Sequence, residues 1–419
     1  MKLAKWYFCF TTKHINTMSK NANYIGQPIF SQLLKFLPKD KISSISSELK
    51  SDHYIKRFKT YDHLIAMLYS SFHNCRSIRE VVTGMMACHG KLQHIGLSDY
   101  PRRSTLSDAN KRRDSSVFEA IYFALFRRYE SVLSDSLVKG MMDNRLFIMD
   151  STTISLFHEV LKNAGKNPFN GKRKGGIKAH TLIRADQDVP CLVRMTSAAS
   201  SDTPFMKHIQ LPKNSIIVFD KGYKNYIQYL RFSSEEITWI TRQNSRATVE
   251  VIEDLVVDKQ QNIAGVKEDK LIILGNTTNK EQTRVSARLI VYYDEKTNRE
   301  FEFITNNTTM KPSTIAQLYQ RRWQIETLFK RLKQNNQLKY FLGDNQNAIE
   351  TQIWCTLIAD LITKIIQKQI KRPWSFANIS SMLRIHLMSY TSLHTFLENP
   401  DKNNFNQNES FQLNLFSSS

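Results

Sequence analysis

Cysteine is sparse and unpaired. The five cysteines (Cys9, Cys75, Cys88, Cys191, Cys355) are scattered, with no C-x-x-C spacing, which argues against a zinc ribbon or a disulfide framework and favours a reducing compartment. A signal peptide is lacking too. The apolar run in MKLAKWYFCF is short and aromatic, and no small-residue cleavage site follows it. An uninterrupted membrane span is also missing. The most apolar later stretch, IWCTLIADLITKII from Ile353, contains Asp360 and Lys364 and reads as a buried helix. The chain is therefore expected to be cytoplasmic, with no membrane partner. Met18 opens a polar lead-in, MSKNANYIGQ, so residues 1–17 read as an upstream-start extension, and residues 1–25 are expected to be disordered.

What the chain lacks most is acid. Against 59 Lys and Arg stand only 38 Asp and Glu, giving a net charge of +21 and a pI near 9.7. Such an excess repels itself in the folded state and calls for a polyanionic partner. Nucleic acid leads, with an anionic membrane surface second. The latter is disfavoured because no basic amphipathic helix stands apart from the expected core. A hydrophobic content of 41% over 419 residues indicates a folded chain with ample core.

From Pro28 to about Val138 the apolar spacing is helical, as in FSQLLKFL, YDHLIAMLYSSF and VFEAIYFALFRRY. This predicts a helical N-terminal segment over 26–138. Within it, PRRSTLSDANKRR places Ser104 or Ser107 as a helix cap. Arg102 and Arg103 make the start of that helix either a phosphate site or an ordinary solvated face.

After Asp143 short β-rich runs take over: RLFIMDST, IKAHTLIRA, VPCLVRMTS, SIIVFDK and ITWITRQ. TPFMKHIQL and YIQYLRFSS read as helices between them. Residues 244–298 look almost wholly β, an insertion into the α/β alternation. REFEFITNN is a further strand, and PSTIAQLYQRRWQIETLFKRLKQ reads as one strong helix with Ser313 as its cap. The α/β part is assigned to 139–395 and a disordered tail to 396–419.

In that helix Glu326 is a lone carboxylate among cations. At ~100° per residue, Tyr319, Arg322, Lys330 and Lys333 all fall within roughly 40° of it around the axis. A simple pairing of Glu326 with Lys330 four residues on is the bland alternative. Two other acids bear on the choice. Asp150 ends the apolar run LFIM, and Asp220 ends IIVF. Each stands where a buried strand emerges, a position that costs desolvation unless something cationic binds there. Three such carboxylates supply hard oxygen ligands for Mg²⁺ or Mn²⁺. Two such ions ~4 Å apart suit in-line displacement at a phosphodiester. Arg322, Lys330 and Lys333 would then hold phosphates, and Tyr319 and Tyr223 would bond to phosphate or stack on a base.

The spacing Y-x2-R-x3-E-x6-K, met by Tyr319, Arg322, Glu326 and Lys333, resembles the signature of DDE transposases of the insertion sequence 4 family. MDST at Met149, KAH at Lys178, VFDKGY at Val218, ITRQ at Ile240, ITNN at Ile304 and FLG at Phe341 extend the resemblance across most of residues 26–370. It implies an RNase H-like catalytic domain with a β-rich insertion, preceded by an α-helical DNA-binding domain. Asp150, Asp220 and Glu326 would be the catalytic acids and the ligands of two Mg²⁺ or Mn²⁺ ions. The implied activity is cut-and-paste transposition of a bacterial insertion sequence on double-stranded DNA, through a hairpin intermediate, by a protein at least dimeric when two element ends are synapsed. Relatives use an aromatic residue to hold a flipped base. Trp239 and Trp323 lie nearest to that region, but a core role is expected for both. A structure-specific nuclease on the same fold and a non-catalytic repressor derived from a transposase are the competing readings.

Overall fold

The computed structural model describes residues 26–134, 145–155, 176–243, 249–275, 283–335, 338 and 340–402. The expected extension over 1–25 and the tail from 403 onward lie outside these residues.

Six helices come first: α1 (Ile29–Leu34), α2 (Lys39–Glu48), α3 (Thr60–His73), α4 (Ile78–Ala87), α5 (Arg103–Arg112) and α6 (Ser116–Leu133). Their apolar residues interlock in one core, with Leu64, Leu68, Val81, Leu106, Phe118 and Leu125 all fully buried. One cap differs from expectation. Arg102 is the N-cap residue of α5, extended and without a side-chain cap bond, because the chain leaves Pro101 extended and Leu106 already donates to the Arg102 carbonyl. Ser104 and Ser107 therefore stand inside the helix and do not cap it.

Strands β1 (Leu146–Ser155), β2 (Gly176–Arg184) and β3 (Pro190–Ser197) form an antiparallel meander. Next come β4 (Ile216–Phe219), α7 (Tyr226–Ser234) and β5 (Thr238–Arg242). Both strands run parallel to β1, β4 pairing with it directly and β5 lying beyond β4. TPFMKHIQL forms a short 3-10 turn, Thr203–His208, and no α-helix. The β-rich stretch contains β6 (Val249–Asp254), α8 (Lys259–Ile263), β7 (Val266–Leu274) and β8 (Val285–Asp294), followed by β9 (Arg299–Thr305). Because β9 pairs antiparallel with both β5 and β8, these strands extend the first sheet and build no second one. A nine-stranded sheet results, in the order β3-β2-β1-β4-β5-β9-β8-β7-β6.

The long helix expected after β9 is two helices. α9 (Pro312–Gln320) ends and α10 (Trp323–Asn335) begins across Arg321 and Arg322. The backbone there tightens to three-residue hydrogen bonds, Arg322 N–H to the Tyr319 carbonyl at 3.0 Å and Ile325 N–H to the Arg322 carbonyl at 3.2 Å, the pattern of a 3-10 turn. Pro312 occupies the first turn of α9 with Lys311 as N-cap, so Ser313 is no cap. α11 (Gln346–Gln369), α12 (Phe376–His386) and α13 (Leu393–Glu398) follow.

As the apolar run from Ile353 predicts, α11 is buried along its length and packs against α3 and α6. Asp360, 1% exposed, is gripped by both arms of Arg331 from α10, at 2.9 and 3.0 Å. Alternation along β1 divides the core: Leu146 and Ile148 face the helices α9–α11, while Met149 faces α7 and the 3-10 turn on the other side of the sheet. Ordered structure also runs past 396, where the tail was expected to begin. Phe396 and Leu397 are buried, and the Leu397 carbonyl accepts from the Trp374 indole at 2.6 Å. Near the other end of the described chain, the Ile29 and Phe30 amides donate to the Ser389 and Leu387 carbonyls at 3.0 and 2.7 Å. The Gln32 amide side chain also bonds to the Thr391 carbonyl at 2.6 Å. Among the described residues no helix is long and apolar enough to cross a membrane.

Candidate active site

Parallel pairing of β1 and β4 sets Met149 opposite Phe219. The next residue on each strand is an aspartate, so Asp150 and Asp220 stand side by side where the parallel pairing stops. Asp220 follows the end of β4, whereas Asp150, expected at a strand end, lies in mid-strand because β1 runs on to Ser155 paired with β2. In open α/β sheets the carboxyl edge of the parallel strands is where ligands bind. The Asp150 carboxylate accepts from the Ser151 amide at 2.7 Å and from Arg322 Nη1 at 3.0 Å. The same guanidinium reaches Glu326, in the first turn of α10, through Nη2 at 2.5 Å. Asp220 takes Arg242 Nη2 at 3.3 Å and the Gly222 amide at 3.3 Å. Burial pushes the Asp150 carboxyl up to about 6; Asp220 and Glu326 push the same way, against the Ser151 amide and Arg322.

Residues 142–361 match the family described as Transposase DDE domain, and residues 25–98 match a domain of unknown function, DUF4372. The chain belongs to the transposase DDE domain family. A protein of Sinorhizobium fredii named as a transposase is 27% identical over 278 residues, covering 63% of this chain and 71% of its own. A Synechocystis protein, named as a transposase for insertion sequence element IS4SA, is 26% identical over 272 residues with the same coverage. A cryo-EM structure of a piggyBac transposase synaptic complex with hairpin DNA superposes with a TM-score of 0.43 and 8% identity, covering 90% of this chain and 81% of that one.

In this DDE transposase the break between α9 and α10 changes the surface expected from a single continuous helix. The turn carries Arg322 inward onto Asp150, 172 residues away in sequence. Tyr319, expected beside it as an outward contact, is only 7% exposed and packs its ring 4.9 Å from that of Phe303. Tyr223 is likewise buried, edge-on to Phe219 at 6.4 Å. Neither ring can stack on a base here, because each fills core space beside the acids. Their hydroxyls are buried and find no hydrogen-bond partner among the described residues. Lys330 is exposed on α10 and free to meet a phosphate. Lys333 is half-buried, and burial lowers its amine below the ordinary lysine value. Arg102 and Arg103 are exposed at the start of α5, away from the acids in sequence and element. Trp239 is fully buried, stacked 4.6 Å from Tyr229, as expected. Trp323 departs from expectation: it is 67% exposed, because the first position of α10 follows the turn and points away from the apolar stripe.

Arg242 was not among the expected site residues. Its signal was available, since it ends the apolar run ITWIT on β5, the strand beside β4. A second polar group also borders the acids. Asp202 accepts from the Ser151 hydroxyl at 2.9 Å and stands 3.2 Å from Lys178 and 3.5 Å from His180. Lys178 and His180 alternate along β2 and so share one face of the sheet. Burial holds the His180 imidazole down at about 4, against the pull of Asp202. The ring is kept neutral, bonded to Thr196 at 2.9 Å and stacked 5.3 Å from Phe205.

DDE transposase domains generally use divalent metal ions. Among the described residues, no three acidic, histidine or cysteine side chains gather closely enough to cage an ion by themselves. Arg322 lies between Asp150 and Glu326 instead. The donor set nevertheless suits a hard cation: it is all carboxylate oxygen, and burial holds Asp150 towards its neutral form even with Arg322 beside it, so a further cation would favour its ionised state.

Proposed function

We propose that this transposase carries out cut-and-paste transposition of a bacterial insertion sequence, binding the element's terminal inverted repeats as a homodimer. In this reading the catalytic domain is RNase H-like, Asp150, Asp220 and Glu326 are the catalytic acids, and they hold two Mg²⁺ or Mn²⁺ ions. The observation that carries it is the meeting of three acids from separate elements, Asp150 within β1 and Asp220 just after β4 where these parallel neighbours part, and Glu326 reaching in from α10, with one guanidinium between two of them. The order β3-β2-β1-β4-β5, antiparallel in its first three strands and parallel from β1 to β5, supports the RNase H-like assignment.

When bound, the metal ions would activate the attacking oxygen and stabilise the leaving oxygen of the phosphodiester. The chain's own residues do the rest. The register of β1 and β4 sets Asp150 and Asp220 at one level, so both can face the same phosphate. Arg322 holds Asp150 and Glu326 by charge-assisted hydrogen bonds and keeps their mutual repulsion in check. Arg242 does the same for Asp220. Lys330, and Lys333 beyond it, offer cations along α10 for the DNA backbone.

A gel-shift and nicking assay on duplexes carrying the element ends tests the assignment. Asp150→Asn, Asp220→Asn and Glu326→Gln are each expected to bind ends as the unaltered protein does and to cleave at background level. Cleavage should need Mg²⁺ or Mn²⁺ and fail with Ca²⁺ or EDTA. Strong residual cleavage by any of the three variants would overturn the acid assignment. Cleavage without strand transfer in the unaltered protein would leave a nuclease in place of a transposase.

A further inference from the structure

The outer face of α5 (Arg103–Arg112) is wholly polar. Arg103, Ser104, Ser107, Asp108, Lys111 and Arg112 are exposed, while Leu106 and Asn110 are buried. At ~100° per residue, the exposed positions cover an arc of ~180°. Each carries a hydrogen-bonding group. We propose that α5 is the helix with which this transposase reads base edges in the major groove of the element ends. The proposal rests on the DNA-end reading above and names the surface that would give it sequence preference.

Charge and size both fit duplex DNA. Arg103, Lys111 and Arg112, with Arg102 just ahead, outweigh the single acid Asp108, the sign that a polyphosphate requires. Ten residues span ~15 Å, and a major groove ~12 Å wide admits a helix. Asp108 separates base reading from mere phosphate grip. A carboxylate in the middle of a phosphate-binding face would repel its ligand. In a groove it accepts a hydrogen bond from the cytosine amine, while arginine pairs with guanine and serine with either base.

A reading helix must also hold its register, and α5 is anchored on two sides. His63 on α3 bonds through Nε2 to the buried Asn110 Oδ1 at 2.6 Å, and through Nδ1 accepts from Arg113 Nη1 at 3.0 Å. Asn347 on α11 donates to the Asn110 and Arg113 carbonyls at 3.0 and 2.7 Å and accepts from the Ser115 amide at 2.9 Å. α11 is in turn clamped to α10, which carries Glu326, by the Arg331–Asp360 pair. The chain thus contains a continuous hydrogen-bonded connection from the proposed reading face to the helix that carries Glu326.

The test is selection from a pool of random-sequence duplexes with the full chain and with Arg103→Ala, Ser107→Ala and Asp108→Ala, each checked for an unchanged thermal melt. The unaltered protein is expected to enrich a motif. Each α5 variant should lose or change the preference at one or two adjacent positions of it. Arg103→Ala should bind the original motif about five- to 150-fold more weakly, the cost of one bidentate base contact. If every variant enriches the original motif, with affinity shifted equally on all duplexes, α5 grips phosphate only and the proposal fails. If the unaltered protein enriches nothing, the end-binding reading itself has failed, and the proposal with it.

Discussion

His63 offers a quantitative handle on how α5 is held. It is fully buried, and Arg113 donates to its Nδ1 while Nε2 bonds to Asn110, so the neutral tautomer is locked in place. Burial, reinforced by the Arg113 charge, drives its value down from 6.5 to about 3. The unfolded chain takes up a proton near 6.5, and the folded protein refuses one until about 3. Stability from this group is therefore complete above 6.5 and is lost as the pH falls from there towards 3. At pH 5 the unfolded state has gained ~2 kcal/mol from protonating this one side chain. His63→Gln, which keeps a donor and an acceptor but cannot titrate, removes that term. The variant should be the less stable protein at pH 8, with the gap narrowing by ~2 kcal/mol at pH 5. Chemical denaturation of both proteins across pH 5–8 measures the gap, and the imidazole resonance missing from the variant identifies His63 for direct titration. A gap independent of pH, or a His63 titration midpoint near 6.5, would refute the buried, locked imidazole.

Two further outcomes follow from ion pairs. Arg322→Lys should slow strand transfer by roughly 10- to 150-fold in single-turnover assays, because an ammonium cannot span Asp150 and Glu326 as the guanidinium does; this equals the loss of one charge-assisted bond at ~1.5–3 kcal/mol. A lysine variant with the normal rate would show that charge alone suffices. Arg331→Met should destabilise the protein by ~3–5 kcal/mol in denaturant melts, since it strands the buried Asp360 carboxylate, and Asp360→Leu in the same chain should restore most of that loss.

The nearness of Asp150 and Asp220 was legible because a charged residue directly after a four-residue apolar run has few structural excuses, and the strands before Asn244 were plain from short β-rich runs between turn residues. Helical periodicity misled at Arg321 and Arg322. A helical wheel assumes one continuous axis, so it put Tyr319 on the cationic face, whereas the turn rotates Tyr319 into the core and swings Arg322 across to Asp150. Arg321 is the residue that closes α9. The pairing of β9 with β5 was invisible for a different reason. Strand propensity marks residues 299–305 as β but carries no information on which neighbour they choose. Likewise, Phe396 and Leu397 sit next to an Asn-rich stretch, and composition alone assigned them to it.

The seam between α1 and the loop ahead of α13 has a consequence for synthesis. Gln32 is bonded to Thr391, 359 positions later, and Ile29, Phe30, Leu33 and Leu34 are buried in the finished fold. At ~5–20 residues per second, the ribosome needs roughly 20–70 s to deliver the later partner. Through that interval the first helix can pack only on early neighbours such as Tyr69 and Phe72, and the Ile29 and Phe30 amides wait for the carbonyls that receive them. A messenger cut short anywhere before Leu387 releases a product in which α1 keeps Tyr69, Phe72 and His94 as neighbours but lacks the carbonyls of this seam. Translation past Thr391 is thus required before α1 is held as it is in the finished fold.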